Sequence, residues 1–309
     1  MNSPPPSPAT SSEPLRLVAT GPTPAIQRTG WVDHLEPGAV NRFRRLLVHA
    51  SGKAANVARA ARDLGARTCT LTPTGGMTGD LWQHLMHNEG LPYHVLPSPY
   101  PTRICTTVIS MADASVTELV EEGPPLDPDL ADIWAEAIRE QTATAHAFVF
   151  SGNLPPGTSA AIIRKIFNAL PDSLPLLIDT SGPAALALQN HPHRILKMNW
   201  HEWEATHRIA PRTVDPREFA PLVITHGDQP ILAWNADREL IELSPPRVDR
   251  PVNTTGCGDA FSAALILALA QRHPLAHALH QAAEAASASA TTAIPGAIRE
   301  AAPAESSDS

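Results

Sequence analysis

The chain has 309 residues, of which 43% are hydrophobic, and its 31 acidic and 23 basic residues give a net charge of −8. This composition argues against global disorder and against a nucleic-acid-binding protein, which would normally carry a basic patch. No run of about 18 apolar residues is present, so no membrane span or membrane partner is expected. Three cysteines without a CxxC pair argue against a disulfide framework or a zinc knuckle and favour a reducing compartment, the cytoplasm.

The two ends of the chain differ in composition from the rest. Residues 1–14 are rich in Pro and Ser and lack the apolar core of a signal peptide, and residues from about 301 to 309 are rich in Ala, Ser and acidic residues. Both ends are predicted to be flexible tails. Residues 15–300 are predicted to form a single domain, because no linker or internal repeat divides them.

Between the tails, apolar runs typical of buried strands alternate with helical patterns. The strand-like runs are Leu15–Ala19, Thr68–Thr72, Ala147–Phe150, Pro175–Ile178, Ile195–Met198 and Leu222–Thr225. The helical patterns are Ala54–Leu64, Leu81–Asn88, Asp129–Gln141, Ser159–Asn168, Pro183–Gln189 and Ala260 to about Ala270. This alternation predicts an α/β fold in which a mostly parallel central sheet is flanked by helices on both faces. In such a sheet the ligand crevice lies beyond the carboxyl ends of the strands.

Two strand-like segments, Ala39–Val48 and Arg103–Val120, lack the crossover helices of that pattern. The second begins with a run rich in β-branched residues, which favour strands. Both are predicted to form a small β-sheet that lies across the crevice as a lid, drawn from about residues 31–50 and 92–122. Exposed strand edges tend to pair with other chains, so a homodimer through this lid is a further expectation.

The segment Thr255-Gly256-Cys257-Gly258-Asp259 directly precedes the last predicted helix. Glycines at a helix start let backbone N–H groups turn toward a bound anion, which the helix dipole also stabilises. Asp259, in the first turn, is placed to accept a proton from a hydroxyl that attacks phosphorus. The plain alternative is an ordinary helix start in which Asp259 only interacts with the dipole.

In its extended form, the segment Asn253–Phe261 resembles the C-terminal signature Asp/Asn-Thr-x-Gly-Ala-Gly-Asp-x-Phe of the ribokinase family of carbohydrate kinases. The signatures Gly-Gly-Lys-Gly-x-Asn-x-Ala, Ser-Gly-Ser-Leu-Pro-Pro-Gly and Lys-Pro-Asn-x-x-Glu are similar to Ser51–Ala58, Ser151–Gly157 and Lys197–Glu202. The resemblance covers about residues 15–296, in the family's order. Within the phosphofructokinase-B group, the 1-phosphofructokinase and tagatose-6-phosphate kinase branch is the nearest, as indicated by Pro24–Ile26, Pro37–Arg42, Thr102-Arg103 and Thr117–Leu119.

This resemblance implies ATP-dependent phosphoryl transfer to a hydroxyl of a sugar phosphate of the fructose 1-phosphate, fructose 6-phosphate or tagatose 6-phosphate class. Asp259 would act as the base, and the amides of Gly256, Cys257 and Gly258 would form the anion hole. The implied contacts to the sugar phosphate are Gln27, Arg42, Gly52, Lys53, Asn56, Arg103 and Ser151. For the arginines taken singly, a solvated surface side chain is the plain alternative, and for Ser151 it is a turn.

The resemblance also implies ATP and Mg²⁺ as cofactors, with a monovalent cation as an optional third. Asn199 and Glu202 would organise Mg²⁺, in part through water, since Mg²⁺ prefers oxygen ligands and keeps several waters. Thr225 and Gly227 follow an apolar strand and resemble the start of the nucleotide loop Thr/Ser-x-Gly-x-x-Gly. The residues alone leave two alternatives open, a helix cap with its capping-box partner for Asn199 and Glu202 and a plain turn at Gly227.

The chain departs from the family's pattern in four ways. Gln27 stands where the branch has an Asp that grips sugar hydroxyls, and an amide is a weaker acceptor than a carboxylate. Ser51 and Ala54 replace glycines and are expected to narrow the sugar pocket. Pro230 replaces the second glycine of the nucleotide loop, where proline fixes φ and removes a donor. Cys257 replaces an alanine and places a thiol at a helix start, where its pKa is expected to fall.

These departures lie at the sugar side and the nucleotide loop, whereas the phosphoryl-transfer residues match the pattern. The leading hypothesis is therefore an active sugar-phosphate kinase with an altered acceptor. A kinase of an unphosphorylated sugar or nucleoside is the second hypothesis. The third, motivated by Gln27 and Pro230, is a non-catalytic sugar-phosphate sensor with the same fold.

Overall fold

A computed structural model of the chain describes residues 13–191, 194–210 and 214–299. The predicted tails lie outside the described residues, except for Glu13 and Pro14. The strands are β1 (Arg16–Thr20), β2 (Ala25–Val32), β3 (Arg45–Ser51), β4 (Arg67–Thr74), β5 (Tyr93–Pro97), β6 (Arg103–Ser110), β7 (Val116–Val120), β8 (Ala147–Ser151), β9 (Leu176–Asp179), β10 (Arg194–Asn199), β11 (Leu222–His226), β12 (Gln229–Trp234) and β13 (Leu240–Leu243). The helices are α1 (Lys53–Asp63), α2 (Gly76–Asn88), α3 (Leu130–Thr142), α4 (Ala160–Phe167), α5 (Gly182–Leu188), α6 (Trp200–Ile209), α7 (Cys257–Ala270), α8 (Leu275–Ser289) and a short 3-10 helix, Pro216–Phe219.

One large sheet organises the molecule. Its nine strands lie in the order β13, β12, β11, β10, β9, β8, β1, β4, β5. Neighbouring strands from β11 to β5 run parallel, whereas β12 and β13 at one edge run antiparallel to their neighbours. Parallel neighbours need long crossover connections, which the helices supply. The predicted α/β fold with a mostly parallel, helix-flanked sheet is confirmed.

Both faces of the large sheet are buried, because alternate side chains of a strand point to opposite sides. In β8, Phe148 and Phe150 pack into a cluster with Trp134 of α3, whereas Ala147 and Val149 pack into a second cluster with residues of α1, α7 and α8. The helix α7 is buried along most of its length, as expected of a helix that is apolar on nearly every side. Among the described residues, no helix is both long and apolar enough to cross a membrane.

A second, four-stranded sheet has the order β3, β2, β6, β7. The residues that form its strands differ from those expected to form the lid. The strand β2 lies mostly before residue 31, β3 begins only at Arg45, and β5 pairs with β4 in the large sheet. Polar residues from Gln27 to Thr29 break the apolar pattern of β2, and residues 39–44 are exposed rather than strand-forming.

The register of the small sheet decides which side chains share a face, since directly opposed residues point to the same side. Gln27, His49 and Cys105 are opposed and therefore share one face. Part of the other face packs against α2 through Ile26, Ala50, Ile104, Trp82 and Met86. We call the first the inner face, and by the same register it carries Ser51, His49, Gln27, Thr29, Arg103, Cys105, Thr107 and Glu118.

Candidate active site

The predicted functional residues gather at one edge of the large sheet, where its parallel strands end. The strands β8, β9 and β10 end at Ser151, Asp179 and Asn199, and the helices α1 and α7 begin at Lys53 and Cys257. Hydrogen bonds and ion pairs join these segments. Carboxyl ends of parallel strands and helix starts together form the usual ligand crevice of open α/β sheets.

The carboxylate of Asp179 lies at the centre of this edge and is fully buried. Its Oδ2 lies 3.0 Å from Nζ of Lys197 and accepts hydrogen bonds from the hydroxyls of Ser151 and Ser262, each at 3.2 Å. Its Oδ1 lies 3.6 Å from Nζ of Lys53. One carboxylate therefore holds together the ends of β8 and β10 and the starts of α1 and α7.

The charges in this cluster shift one another's pKa values. Burial alone would raise the pKa of Asp179, but the ammonium groups of Lys197 and Lys53 outweigh burial and hold it below its usual range. Burial opposes the charge of Lys53, yet the carboxylates of Asp179, Glu202 and Asp259 together raise the pKa of Lys53. Both groups are therefore charged at neutral pH.

The pKa of Asp259 is shifted in the opposite direction to that of Asp179. The residue is 5% exposed, and its carboxylate accepts a hydrogen bond, at 2.8 Å, from Nδ2 of Asn56 in α1. Burial raises the pKa of Asp259 to about 6, partly offset by the nearby Lys53 ammonium, while the charge of Asp179 raises it further. A carboxylate with a pKa just below neutral is well suited to accept a proton.

The start of α7 has the form of an anion-binding turn. Gly256 caps the helix with φ of +84°, and a Cβ there would lie 2.4 Å from the backbone N of Gly296, so only glycine fits. A Cβ on Gly258 would lie 3.0 Å from Nζ of Lys197, which places that ammonium beside the turn. Of the three predicted anion-hole amides, that of Cys257 donates to the Thr254 carbonyl at 3.3 Å.

The thiol of Cys257 does not behave as predicted. The expectation of a lowered pKa is wrong, because burial raises the pKa of Cys257 to about 11. The thiol is turned toward its own backbone, with Sγ 3.9 Å from the carbonyl of Asn253. Loss of hydration therefore outweighs the helix start, and the side chain is a neutral thiol at physiological pH.

Asn199 and Glu202 form a capping box at the start of α6. The Asn199 side chain accepts a bond from the Glu202 amide, and the Glu202 carboxylate accepts one from the Asn199 amide, both at 2.9 Å. The second oxygen of Glu202 lies 3.1 Å from Nζ of Lys53. The capping alternative is thus present, and it directs the Glu202 carboxylate into the same charged cluster.

The cluster offers carboxylate oxygens, the donors that Mg²⁺ prefers. Oδ1 of Asp179 is buried and accepts no hydrogen bond from the described residues. Oε1 of Glu202 lies close to it, since the Lys53 ammonium is 3.6 Å from Oδ1 of Asp179 and 3.1 Å from Oε1 of Glu202. In residues 13–191, 194–210 and 214–299 no group of three or more His, Cys, Asp or Glu side chains could hold a metal ion, so waters and phosphates would complete the shell.

The predicted nucleotide segment lies next to Asn199, because Thr225 of β11 pairs with Asn199 of β10. Gly227 follows in a tight turn with φ of +59°, and His226 pairs with Gln229 across it. His226 also stacks on Trp200, with ring centroids 5.4 Å apart and an interplanar angle of 15°. Pro230 lies in β12 beyond this turn, so the segment is a hairpin rather than a long glycine loop.

On the sugar side, the structure brings Gly52, Lys53 and Asn56 to the start of α1. Ser51 is buried, and its hydroxyl donates to Oδ1 of Asn56 at 3.1 Å, so this departure from glycine adds a hydrogen bond beside Asp259. A further contact links the small sheet to the anion-binding turn, since the Thr255 hydroxyl donates to Glu118 of β7 at 2.9 Å.

The remaining sugar-side predictions are spread along the small sheet. Gln27 is buried on the inner face and donates to the Thr107 hydroxyl at 2.8 Å. Arg103 donates to the carbonyls of Glu121 and Thr23 and lines a shallow cleft together with Thr23 and Pro24. Arg42 is exposed on the segment before β3, beyond the end of the sheet opposite Arg103. The structure does not bring the two arginines together within one chain.

The two most buried charges of the site, Asp179 and Lys197, are not among the residues that the sequence predicts to be functional. Lys197 begins the segment Lys197–Glu202, but the pattern of that segment predicts no role for it. Asp179 directly follows the predicted strand Pro175–Ile178, so the rule that ligands bind beyond strand ends could have identified it. Its partners come from distant segments, and no local spacing reveals them.

A model of the family described as pfkB family carbohydrate kinase matches residues 16–300. The chain is 32% identical over 168 residues to ATP-dependent 6-phosphofructokinase isozyme 2 of Mycobacterium tuberculosis, a match covering 54% of this chain. That match spans about half (50%) of the relative's length. The chain is also 29% identical over 270 residues to 1-phosphofructokinase of Escherichia coli K12, covering 83% of this chain and 85% of the relative.

Solved structures share the architecture. Phosphofructokinase-2 from Escherichia coli, in complex with potassium, superposes with a TM-score of 0.77 at 24% identity, covering 90% of this chain and 93% of that one. A possible 1-phosphofructokinase from Thermotoga maritima gives a TM-score of 0.72 at 14% identity, covering 89% and 91%. At these identities the likeness establishes the fold alone.

The electrostatics of the site predict a specific titration for Asp259, whose pKa should be about 6. The Asn56 amide stabilises the charged carboxylate, so Asn56→Leu should raise the pKa further. Carbon-13 NMR titration of the aspartate carboxyl groups measures both values, with Asp259→Asn as the variant that assigns the signal. A midpoint near the ordinary value of 3.8, or a downward shift in Asn56→Leu, would contradict this electrostatic account.

Proposed function

Because this chain belongs to the pfkB family of carbohydrate kinases, we propose that it transfers the γ-phosphoryl group of ATP to a hydroxyl of a sugar phosphate. The observation that carries the proposal is the placement of Asp259, a buried carboxylate with a raised pKa in the first turn of α7. Beside it lie the anion-binding turn and the Lys197 ammonium. Phosphoryl transfer needs this combination of a base and positioned positive charge.

In this proposal Asp259 accepts the proton of the attacking hydroxyl as the oxygen approaches phosphorus. With a pKa of about 6, the carboxylate is mostly ionised at neutral pH and is still basic enough to hold a proton during the reaction. The Asn56 amide, bonded to Oδ2, keeps the carboxylate oriented. The same bond positions α1, the helix at the sugar side, relative to the base.

The developing charge on the transferred group would be stabilised by two kinds of group. The amides of Gly256 and Gly258 belong to the turn at the start of α7, where backbone N–H groups lack partners within the helix. The ammonium groups of Lys53 and Lys197 are held by Asp179, and that of Lys197 lies beside the same turn. Donors and cations that are fixed in place lower the barrier without reorganisation during the reaction.

Mg²⁺ fits this site, and Asp179 and Glu202 would hold it through their carboxylate oxygens, with Asn199 supporting Glu202 through the capping box. When bound, Mg²⁺ neutralises charge on the nucleotide phosphates. Thr225 and Gly227, next to Asn199, are proposed to contact the nucleotide. The monovalent cation expected from the family resemblance stays a prediction.

A phosphorylated ketohexose is the proposed acceptor, because the relatives matched over more than four fifths of their length are named 1-phosphofructokinase or ATP-dependent 6-phosphofructokinase isozyme 2. The contacts to this acceptor are proposed to be Gln27, Gly52, Lys53, Asn56, Arg103 and Ser151, whose hydroxyl is also bonded to Asp179. The contact expected of Arg42 stays a prediction, because Arg42 lies beyond the end of the small sheet opposite Arg103. Phosphofructokinase-2 from Escherichia coli has been solved in complex with fructose 6-phosphate, which agrees with an acceptor of this class.

Two other functions stay open. An unphosphorylated sugar or nucleoside would be the acceptor if Arg103 keeps the backbone contacts seen here rather than binding a phosphate. A non-catalytic sugar-phosphate sensor is favoured only by Gln27 and Pro230. The intact base, turn and lysines favour a kinase over a sensor.

The proposal includes a cytoplasmic location, which the state of the cysteines supports. Cys69, Cys105 and Cys257 are all free thiols, as expected in a reducing compartment. Fractionation of cells that express the chain checks this location, and recovery from an oxidising compartment would contradict it.

A homodimer through the small sheet is also part of the proposal. On the face opposite the inner face, Leu46, Val48 and Leu119 are 40%, 42% and 60% exposed, and a second copy would bury them. Sedimentation at micromolar concentration should give a dimer that Leu119→Lys converts to a monomer. A monomer in the unchanged chain would contradict this assembly.

Removal of the base tests the catalytic assignment. Asp259→Asn keeps the shape of the side chain and should lower kcat by about 10²–10⁴-fold, the usual contribution of a positioned base. Steady-state assays of ADP release measure kcat, and Asp132→Asn, at an exposed carboxylate of α3, is the matched control. Turnover within about tenfold of the unchanged chain would remove Asp259 from the mechanism.

Arg103 distinguishes the two acceptor classes. If its guanidinium binds the existing phosphate, Arg103→Ala should raise KM for fructose 6-phosphate by about 10- to 100-fold, the usual cost of a lost charge-assisted hydrogen bond. KM for fructose, which has no phosphate, should not change. Arg139→Ala, at an exposed arginine of α3, is the control. Equal effects on both sugars would favour the unphosphorylated acceptor.

A further inference from the structure

His49 of β3 is a buried histidine without a hydrogen-bond partner in the part of the chain that the structure describes. The residue is 4% exposed, and neither Nδ1 nor Nε2 of its ring is bonded to any of the described residues. Buried polar side chains in folded proteins nearly always have a partner, so each exception calls for an explanation. No step of the proposed phosphoryl transfer uses His49.

The register of the small sheet places His49 on the inner face, directly opposite Gln27. On the same strand and the same face, Ser51 bonds Asn56, which in turn bonds Asp259. Two residues of an extended strand span about 7 Å, so the imidazole lies about that far along the sheet from the serine. His49 therefore belongs to the surface that faces the acceptor.

The Thr29 hydroxyl is a second buried polar group on the inner face whose hydrogen bonding is not satisfied by the described residues. The Thr29 hydroxyl, one row beyond Gln27 on β2, is fully buried and bonds none of the described residues. Gln27 lies between the two and donates to the Thr107 hydroxyl. These groups are about as buried as Asp259, which is 5% exposed, so burial is shared by the whole crevice.

The hydrogen-bonding character of this surface is that of a polyol site. Burial, with a smaller contribution from the Arg59 guanidinium, lowers the pKa of His49 to about 3, so the ring is neutral at physiological pH. A neutral imidazole offers one donor and one acceptor, as a carboxamide offers both. A sugar hydroxyl, which also donates and accepts, matches such groups, whereas a phosphate would require cations.

We propose that His49 is a specificity-determining residue that hydrogen-bonds a hydroxyl of the acceptor sugar, beside Gln27 on the inner face of the small sheet. The inference rests on the proposed function, because it takes the bound molecule to be the sugar phosphate that receives the phosphoryl group. In this arrangement two neutral side chains, His49 and Gln27, read the hydroxyl pattern. The cations Arg103 and Lys53 lie at the neighbouring end of the same surface.

A binding role and a purely structural role of His49 predict different results for acceptor affinity. If His49 only filled the core, its replacement by an apolar side chain would change stability but not acceptor binding. Exchange of a buried, unpartnered polar group for leucine should leave stability unchanged or raise it. A gain in stability together with a loss of acceptor binding is therefore the signature of a binding residue.

The experiment compares His49→Leu, His49→Gln and the unchanged chain. Calorimetric titration with fructose 6-phosphate and with fructose 1-phosphate, without ATP, measures Kd, and steady-state assays measure KM for the sugar and for ATP. His49→Leu should raise Kd and sugar KM by about 10- to 100-fold, the cost of leaving a ligand group unpaired. KM for ATP and the melting temperature should not fall, and His49→Gln should recover part of the affinity.

The control is His87→Leu, the same chemical change at an exposed position of α2, which should leave all values unchanged. Unchanged sugar affinity in a folded His49→Leu variant would overturn the proposal and leave a buried water as the partner of the ring. Binding that depends on His49 without any turnover would refute the kinase function but support the contact. Absence of both binding and turnover in the unchanged chain would overturn both.

Discussion

The site depends on one buried carboxylate held between two ammonium groups. Asp179 is fully buried and lies within 3.0 Å of Lys197 and 3.6 Å of Lys53. Burial of charge is costly unless each ion is paired and hydrogen-bonded. Here two serine hydroxyls bond Oδ2 of Asp179, and Oδ1 faces the Lys53 ammonium. Removal of one partner from a buried ion pair typically destabilises the fold by about 3–5 kcal/mol. The cluster therefore helps to hold together the segments that carry these residues.

The same cluster shifts the pKa values of two neighbouring carboxylates, Asp179 and Asp259, in opposite directions. The lysines hold the pKa of Asp179 low, so it stays an anion that fixes cations in place. Asp259 is nearly as buried, but among the described residues only the Asn56 amide donates to it, and its pKa is raised to about 6. Pairs of acids whose environments drive their pKa values apart are typical of sites that assign one group to positioning and the other to proton transfer.

Sequence patterns predicted the fold class, the family resemblance and the helix start at Asp259, because these depend on local periodicity and contiguous motifs. They did not predict Asp179, whose partners lie far apart in the chain, or β2, whose polar residues face the crevice. The lowered pKa expected for Cys257 was wrong, since burial of the thiol cannot be read from its position at a helix start. Arg42 and Arg103 were both expected to contact the sugar phosphate, but the register places them toward opposite ends of the small sheet.

The most direct test of a sugar-phosphate kinase is phosphorus-31 NMR of the full chain with ATP, Mg²⁺ and a panel of sugars and sugar phosphates. The panel includes fructose 1-phosphate, fructose 6-phosphate and tagatose 6-phosphate. The account predicts that ADP and a sugar bisphosphate form in equal amounts with at least one of these three. Formation of ADP without a bisphosphate, or binding of a sugar phosphate without consumption of ATP, would contradict it.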